Sequence, residues 1–183
     1  MRILVTGTTG GIGGAVSRAA ADAGHEVVAV NRGDFDSFAA DGIEAAVFAS
    51  GVCPVKPLTL LSDAEIQETF DVNCALFIRL MRRLVKERMF APSGAKVIAV
   101  SSVSAVEGWP GGAAYCASKG ALSAVCRALD AELGQKRISV AAIEPRHVKT
   151  AMFDRLAGRM GTDPSNAQDP EVFARNVLSR LEN

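Results

Sequence analysis

This sequence predicts a doubly wound α/β fold, a largely parallel sheet with helices on both faces in three αβα layers, and three observations carry that expectation. Arg2 to Thr6 is a short β-branched run, the composition of a strand. Gly7-Thr8-Thr9-Gly10-Gly11-Ile12-Gly13-Gly14 follows it directly and leads into a helical pattern from Ala15 to Ala23. Strand, glycine loop and helix in that order form a cradle for a pyrophosphate. The glycines let the backbone approach, and free N–H groups at the helix N-terminus meet the charge. Third, Leu122, Val125, Leu129 and Leu133 recur at helical spacing, which gives a later segment one face to bury against a sheet.

The elements then fall in order. Strands are expected near 2–6, 26–31, 44–49, 96–101 and 138–143, with the first, third and fourth central and parallel. Helices at about 11–23, 63–90 and 113–134 would make right-handed crossovers. Ser62-Asp63-Ala64-Glu65 has the form of a capping box that opens the second of these. Gly161 to Pro170 reads as a polar loop before a last helix around 170–182, and residues 1–183 read as a single domain.

With 20 acidic and 20 basic residues the formal net charge is zero, which argues against nucleic-acid or anionic-membrane binding. Apolar residues make up 49% of the chain, yet no run is long enough to span a bilayer. The first strand begins at residue 2, so no cleaved targeting peptide and a cytoplasmic location are expected. Cys53, Cys74, Cys116 and Cys126 show neither a CxxC pair nor metal-ligand spacing; they read as reduced thiols, and no metal is expected.

Tyr115 is the only tyrosine, and it stands four residues before Lys119 in a helical run, so one face carries both. A phenol titrates near 10 and needs a neighbouring cation to act at neutral pH; Lys119 could supply one. Ser102 lies thirteen residues before Tyr115, just after the apolar run Lys96 to Val100, where a strand would end.

Together these residues resemble the short-chain dehydrogenase/reductase family. Its TGxxxGxG pattern matches Thr6, Gly7, Gly11 and Gly13, and its catalytic serine, tyrosine and lysine fall on Ser102, Tyr115 and Lys119. Its asparagine in the long central helix falls on Asn73. The resemblance implies a Rossmann-like sheet and hydride exchange between a nicotinamide cofactor and a small carbonyl or alcohol. Tyr115 would be the acid/base, Lys119 would lower its pKa, Ser102 would hold the substrate oxygen and Asn73 would position a water. The implied cofactor contacts are Gly7, Thr9, Gly11, Ile12, Gly13, Asn31, Arg32, Ser50, Gly51, Asn73, Tyr115, Lys119, Pro145, Val148 and Thr150.

The chain departs from the family in three places. The Asn-Asn-Ala-Gly after the fourth family strand reads Ala49-Ser50-Gly51-Val52, with Ser50 a partial substitute. The Pro-Gly of the nicotinamide loop reads Pro145-Arg146. The dozen residues between Asn31 and Glu44 suffice for one crossover helix only, so one βα unit is expected to be missing, together with the family's closing strand.

Asn31 and Arg32 stand at the end of the second strand, where an acidic residue would mark NAD; charge therefore favours NADP(H) over NAD(H). Trp109, Pro110, Met152 and Phe153 suggest an apolar, open substrate pocket, while His147 reads as a surface imidazole and His25, after Gly24, as a residue at the end of the first helix. A homodimer through the two long helices is expected. The alternatives are a non-catalytic NADP(H)-binding regulatory protein descended from such an enzyme, and an isomerase or dehydratase of the related extended group. The latter needs a larger C-terminal domain than this chain has.

Overall fold

A computed structural model describes residues 1–160 and 163–183. Five strands, β1 (Arg2–Thr6), β2 (Glu26–Val30), β3 (Ala45–Phe48), β4 (Ala95–Val100) and β5 (Ile138–Ile143), form one parallel sheet in the order β2-β1-β3-β4-β5. All five coincide with the runs read from the sequence, and β1, β3 and β4 are the inner strands as expected. Among the described residues no strand follows β5, which is an edge.

Inner parallel strands are covered on both faces, and their alternation divides the core in two. Ile3 and Val5 point toward Ala15 and Val16 of α1 (Gly11–Asp22) and toward Phe173 and Val177 of the last helix, Pro170–Glu182. Leu4 and Phe48 point the other way, onto Phe77, Leu80, Leu84 and Leu122. The strand order reverses between β1 and β3, which opens a crevice beyond their C-terminal ends.

The segment expected as a helix from 63 to 90 is broken. It comprises α2 (Asp63–Phe70), a π-turn (Asp71–Ala75) and α3 (Leu76–Lys86). The Ser62 capping box is present: the Ser62 hydroxyl accepts from Glu65 N, and the Glu65 carboxylate accepts from Ser62 N. At the other end the chain turns left-handed at Arg88 (φ 55°), which lets Met89 fold back into the core.

No helix bridges β2 and β3, which corrects the expected crossover. Turns fill the region after Asn31 because Asp34 accepts from Asn31 N, closing a short polar loop. Arg83 of α3 then holds that loop through the Phe35 and Phe38 carbonyls, with its guanidinium 4.4 Å from the Phe38 ring centroid.

After α4 (Ala113–Leu133) and β5 comes α5 (Ala151–Met160), which the sequence reading omitted. Of the expected polar loop from 161 to 170, residues 161 and 162 lie outside the described residues. Pro164–Asn166 forms a 3₁₀ turn, and α6 (Pro170–Glu182) begins under an Asp169 cap. Among the described residues no helix is long and apolar enough to cross a membrane.

Candidate active site

The glycine loop leaves β1 at the strand-order reversal. Gly7 has φ +66°, and a Cβ there would stand 3.1 Å from the Ala49 carbonyl and Ser50 N. A Cβ on Gly13 would lie 2.3 Å from Gly7 O, so β1 and α1 meet too closely for any side chain. Gly10 caps α1 without a side-chain hydrogen bond, which leaves the first N–H groups of the helix available to an anion.

Thr6 ties this loop to the end of β3. Its hydroxyl oxygen accepts from Ala49 N at 3.0 Å and Ser50 N at 3.2 Å, and the Ser50 hydroxyl lies 3.0 Å from it. Ser50 thus supplies a strand-to-strand link of the kind the missing asparagine amides would make. Asn31 and Thr8 bond through their side chains at 3.0 Å, whereas Thr9 is exposed. Arg32 pairs with Glu68 of α2 at 3.0 Å, both largely exposed.

Asn73 sits in the π-turn and is fully buried. Its Oδ1 accepts from Val52 N at 2.8 Å, and its Nδ2 donates to Val52 O and to Ser118 Oγ, each at 2.9 Å. The amide therefore clamps the loop after β3 onto α4. Ser118 was not among the residues expected in the site; its position inside the YxxxK segment was the only signal available. The clamp also places Gly51 close to Lys119, since a Cβ there would be 3.7 Å from Nζ.

Tyr115 and Lys119 share a face of α4, with Lys119 Nζ 5.7 Å from the Tyr115 ring centroid. The ammonium donates to Val100 O at 2.8 Å and is buried. Burial brings its pKa down to about 8, against an opposing pull from the Cys53 and Cys126 thiols. The phenol moves the opposite way to expectation. Burial and the neighbouring Cys53 raise its pKa, outweighing the hydrogen bond with Ser102. The Lys119 ammonium is directed to the Val100 carbonyl.

Ser102 begins a 3₁₀ turn after β4, and its hydroxyl accepts from Ser104 N at 3.1 Å. The loop after β5 lies alongside: Val103 N donates to Pro145 O at 3.2 Å, and Val148 pairs with Gln168. Thr150 covers the start of α1, its Cγ2 only 2.5 Å from where a Gly11 Cβ would stand. Ser102, Tyr115, Ile12, Pro145, Val148 and Thr150 line one cavity of about 100 Å³ together with Cys53, Trp109 and Phe153. The pocket is small, and α5 forms one side of it through Met152, Phe153 and Leu156. A larger groove, about 1140 Å³, runs between the Arg32–Asp36 turn and α2–α3; it contains none of Ser102, Tyr115 or Lys119, and chemistry assigns the site to the smaller cavity.

The buried lysine is expected to cost stability. A lysine pKa lowered from 10.5 to about 8 corresponds to roughly 3 kcal/mol of stability lost below pH 8, where the folded chain must keep the ammonium buried. As pH rises from 8 toward 10.5 the unfolded chain holds more protons than the folded one, and this cost disappears. Lys119→Met is therefore expected to be more stable than the parent by about 2 kcal/mol at pH 7, after loss of the Val100 bond. That gap should narrow by pH 10. Denaturant titrations at the two pH values test this, and a variant less stable than the parent at pH 7 would contradict it.

Among the described residues no cluster of three or more His, Cys, Asp or Glu side chains could hold a metal, and all four cysteines are free thiols.

A sequence profile described as short chain dehydrogenase matches residues 39–160. A 3β-hydroxysteroid dehydrogenase of Mediterraneibacter gnavus is 30% identical over 216 residues, covering 96% of this chain and 78% of that protein. Among solved structures, a provisionally assigned 2-deoxy-D-gluconate 3-dehydrogenase of Agrobacterium tumefaciens with bound NADP superposes with a TM-score of 0.85 at 22% identity, covering 96% of this chain and 86% of that one. A 3-ketoacyl-(acyl-carrier-protein) reductase of Brucella melitensis complexed with NADH gives 0.81 at 20% identity, with 98% and 90% covered.

Proposed function

The chain belongs to the short chain dehydrogenase family, whose enzymes depend on NAD(P), and on that premise we propose that it is an NADP(H)-dependent carbonyl reductase or alcohol dehydrogenase with Tyr115 as its acid/base. The observation that carries this reading is the convergence of Tyr115 and Ser102 on one cavity whose other wall is Ile12, Val148 and Thr150, beside the glycine loop.

The residues present fit a dinucleotide. Gly7 and Gly13 allow the tight backbone turn between β1 and α1 that no side chain would permit, and the start of α1 offers uncapped N–H groups. Gly7, Thr9, Gly11, Ile12 and Gly13 would hold the pyrophosphate side, with Asn31, Arg32, Ser50 and Gly51 at the adenosine. Pro145, Val148, Thr150, Tyr115, Lys119 and Asn73 would surround the nicotinamide half. A bound nicotinamide would supply or accept the hydride.

The protein's own part is proton transfer and positioning. Tyr115, kept protonated by burial, gives its proton to the carbonyl oxygen during reduction. Ser102 donates a hydrogen bond to that same oxygen once its contact with the phenol is shared with substrate. Lys119 provides a buried positive charge one turn away, and Asn73 holds the floor of the site rigid through Val52 and Ser118. The homodimer expected through α2–α3 and α4 belongs to this reading; α4 exposes Ala117, Ala124, Ala128 and Ala131 along its length.

Preference for NADP(H) rests on Arg32, an exposed cation just past β2 whose pairing with Glu68 can be exchanged for a 2′-phosphate. Calorimetric titration of the parent should give tighter binding of NADPH than of NADH. Arg32→Asp should move that ratio toward NADH by about tenfold or more. An unchanged ratio would remove Arg32 from the ribose end.

A further inference from the structure

The loops after β4 and β5 come together over the candidate active site, and one contact joins their outer ends. Arg146 meets Glu107 fork to fork, Nη2 donating to Oε1 at 2.9 Å and Nη1 to Oε2 at 3.3 Å. Arg146 lines the cavity yet is 65% exposed, so its side chain runs from the cavity wall out to solvent, where the half-exposed Glu107 meets it. Beneath this pair the same two loops are joined again by Val103 N donating to Pro145 O.

The space beside Tyr115 and Ser102 is small. About 100 Å³ is the liquid volume of roughly three waters, whereas pockets for drug-sized ligands run to about 300–1,000 Å³. Two of its aromatic walls, Trp109 and Phe153, are held by neighbours. Trp109 Nε1 donates to Ser104 Oγ at 3.1 Å, and the indole lies so close over Gly112 that a Cβ there would be 2.6 Å from it. Phe153 is held by the His147 ring, centroid to centroid 5.2 Å.

Charge is compensated too. Among the described residues Arg146 is the only lysine or arginine lining this cavity, and it pairs with Glu107; burial and Arg146 lower the pKa of His147, against a smaller pull from Glu107. An anionic substrate would have to displace the Glu107 carboxylate.

We propose that the Glu107–Arg146 pair is a strap across the mouth of the site that restricts its substrates to compact, uncharged aldehydes and ketones. The substrate part rests on the reductase reading above; the strap itself does not. An exposed pair is a weak latch, so its effects should be several-fold and should diminish with salt.

Cys53 lines the same cavity and reports access without any turnover. In a Cys116→Ser background, methyl methanethiosulfonate and the bulkier N-pyrenylmaleimide are offered, and modification of Cys53 is followed by peptide mass spectrometry. The expected result is slow labelling by the bulky reagent relative to the small one. That ratio should rise several-fold in Glu107→Gln, in Arg146→Gln and with added salt. It should fall back in the double charge reversal Glu107→Arg with Arg146→Glu. A ratio unchanged by either single substitution would overturn the strap.

A parallel comparison of kcat/KM for butanone, levulinate and 1-acetylnaphthalene tests the substrate class. Butanone is expected to lead, with a several-fold smaller lead over 1-acetylnaphthalene in Glu107→Gln. Equal use of all three by the parent would overturn the restriction. Strap-dependent labelling with no turnover of any carbonyl would instead overturn the reductase reading and leave the strap standing.

Discussion

Tyr115→Phe is expected to lower turnover by about 10³-fold or more while leaving NADPH affinity within a few-fold, because the change deletes the proton donor, keeps the ring beside the nicotinamide half and leaves the glycine loop untouched. The Tyr115 ring is positioned by packing against Trp109, whose centroid lies 6.3 Å away. The phenylalanine ring should therefore occupy the same place. Burial raises the phenol's pKa, so the loss should be uniform across neutral pH in the reduction direction. Steady-state assays with calorimetric NADPH titration measure both quantities. A variant that retained turnover would transfer the acid/base role elsewhere.

Gly13→Val should be the most damaging change in the cofactor cradle. A Cβ at this position would stand 2.3 Å from Gly7 O, 2.6 Å from Gly7 C and 2.7 Å from Thr6 O, all backbone atoms that no rotamer change can move. Overpacking of this kind costs about 1–3 kcal/mol. Moving the loop away would also draw its N–H groups off the pyrophosphate, so NADPH affinity should fall by at least about tenfold. Gly33→Ala is the control. It has no heavy atom within 4 Å of its would-be Cβ and should bind and melt like the parent. Thermal melts with and without NADPH separate the two effects, and a Gly13→Val protein with parental affinity would refute the cradle.

What the sequence disclosed was mainly local. The β1–loop–α1 unit, the five strands and the Ser62 cap could be read because each depends on neighbours within a few residues. The break in the long helix depends on distant partners: the π-turn at Asn73 is held by Val52 and Ser118, 21 and 45 residues away. The helix-free route from β2 to β3 likewise depends on Arg83, 45 and 48 residues away from the carbonyls it grips. α5 did carry a signal, since Phe153, Leu156 and Ala157 have helical spacing, and Phe153 and Ala157 are buried.

In the site, the YxxxK spacing placed Tyr115 and Lys119 on one face but could not disclose that Lys119 donates to Val100 O. That bond depends on how α4 packs against the end of β4. Arg146 stood out in the sequence only as an arginine in place of a glycine. Its partner Glu107 lies 39 residues away and became visible only once the two loops met.

The most direct measurement is to mix the purified protein with NADPH and a panel of small aldehydes and ketones while following the absorbance of the reduced nicotinamide. The predicted result is consumption of NADPH that needs both protein and carbonyl and disappears in Tyr115→Phe. Tight NADPH binding with no turnover across the panel would contradict the assignment of a reductase.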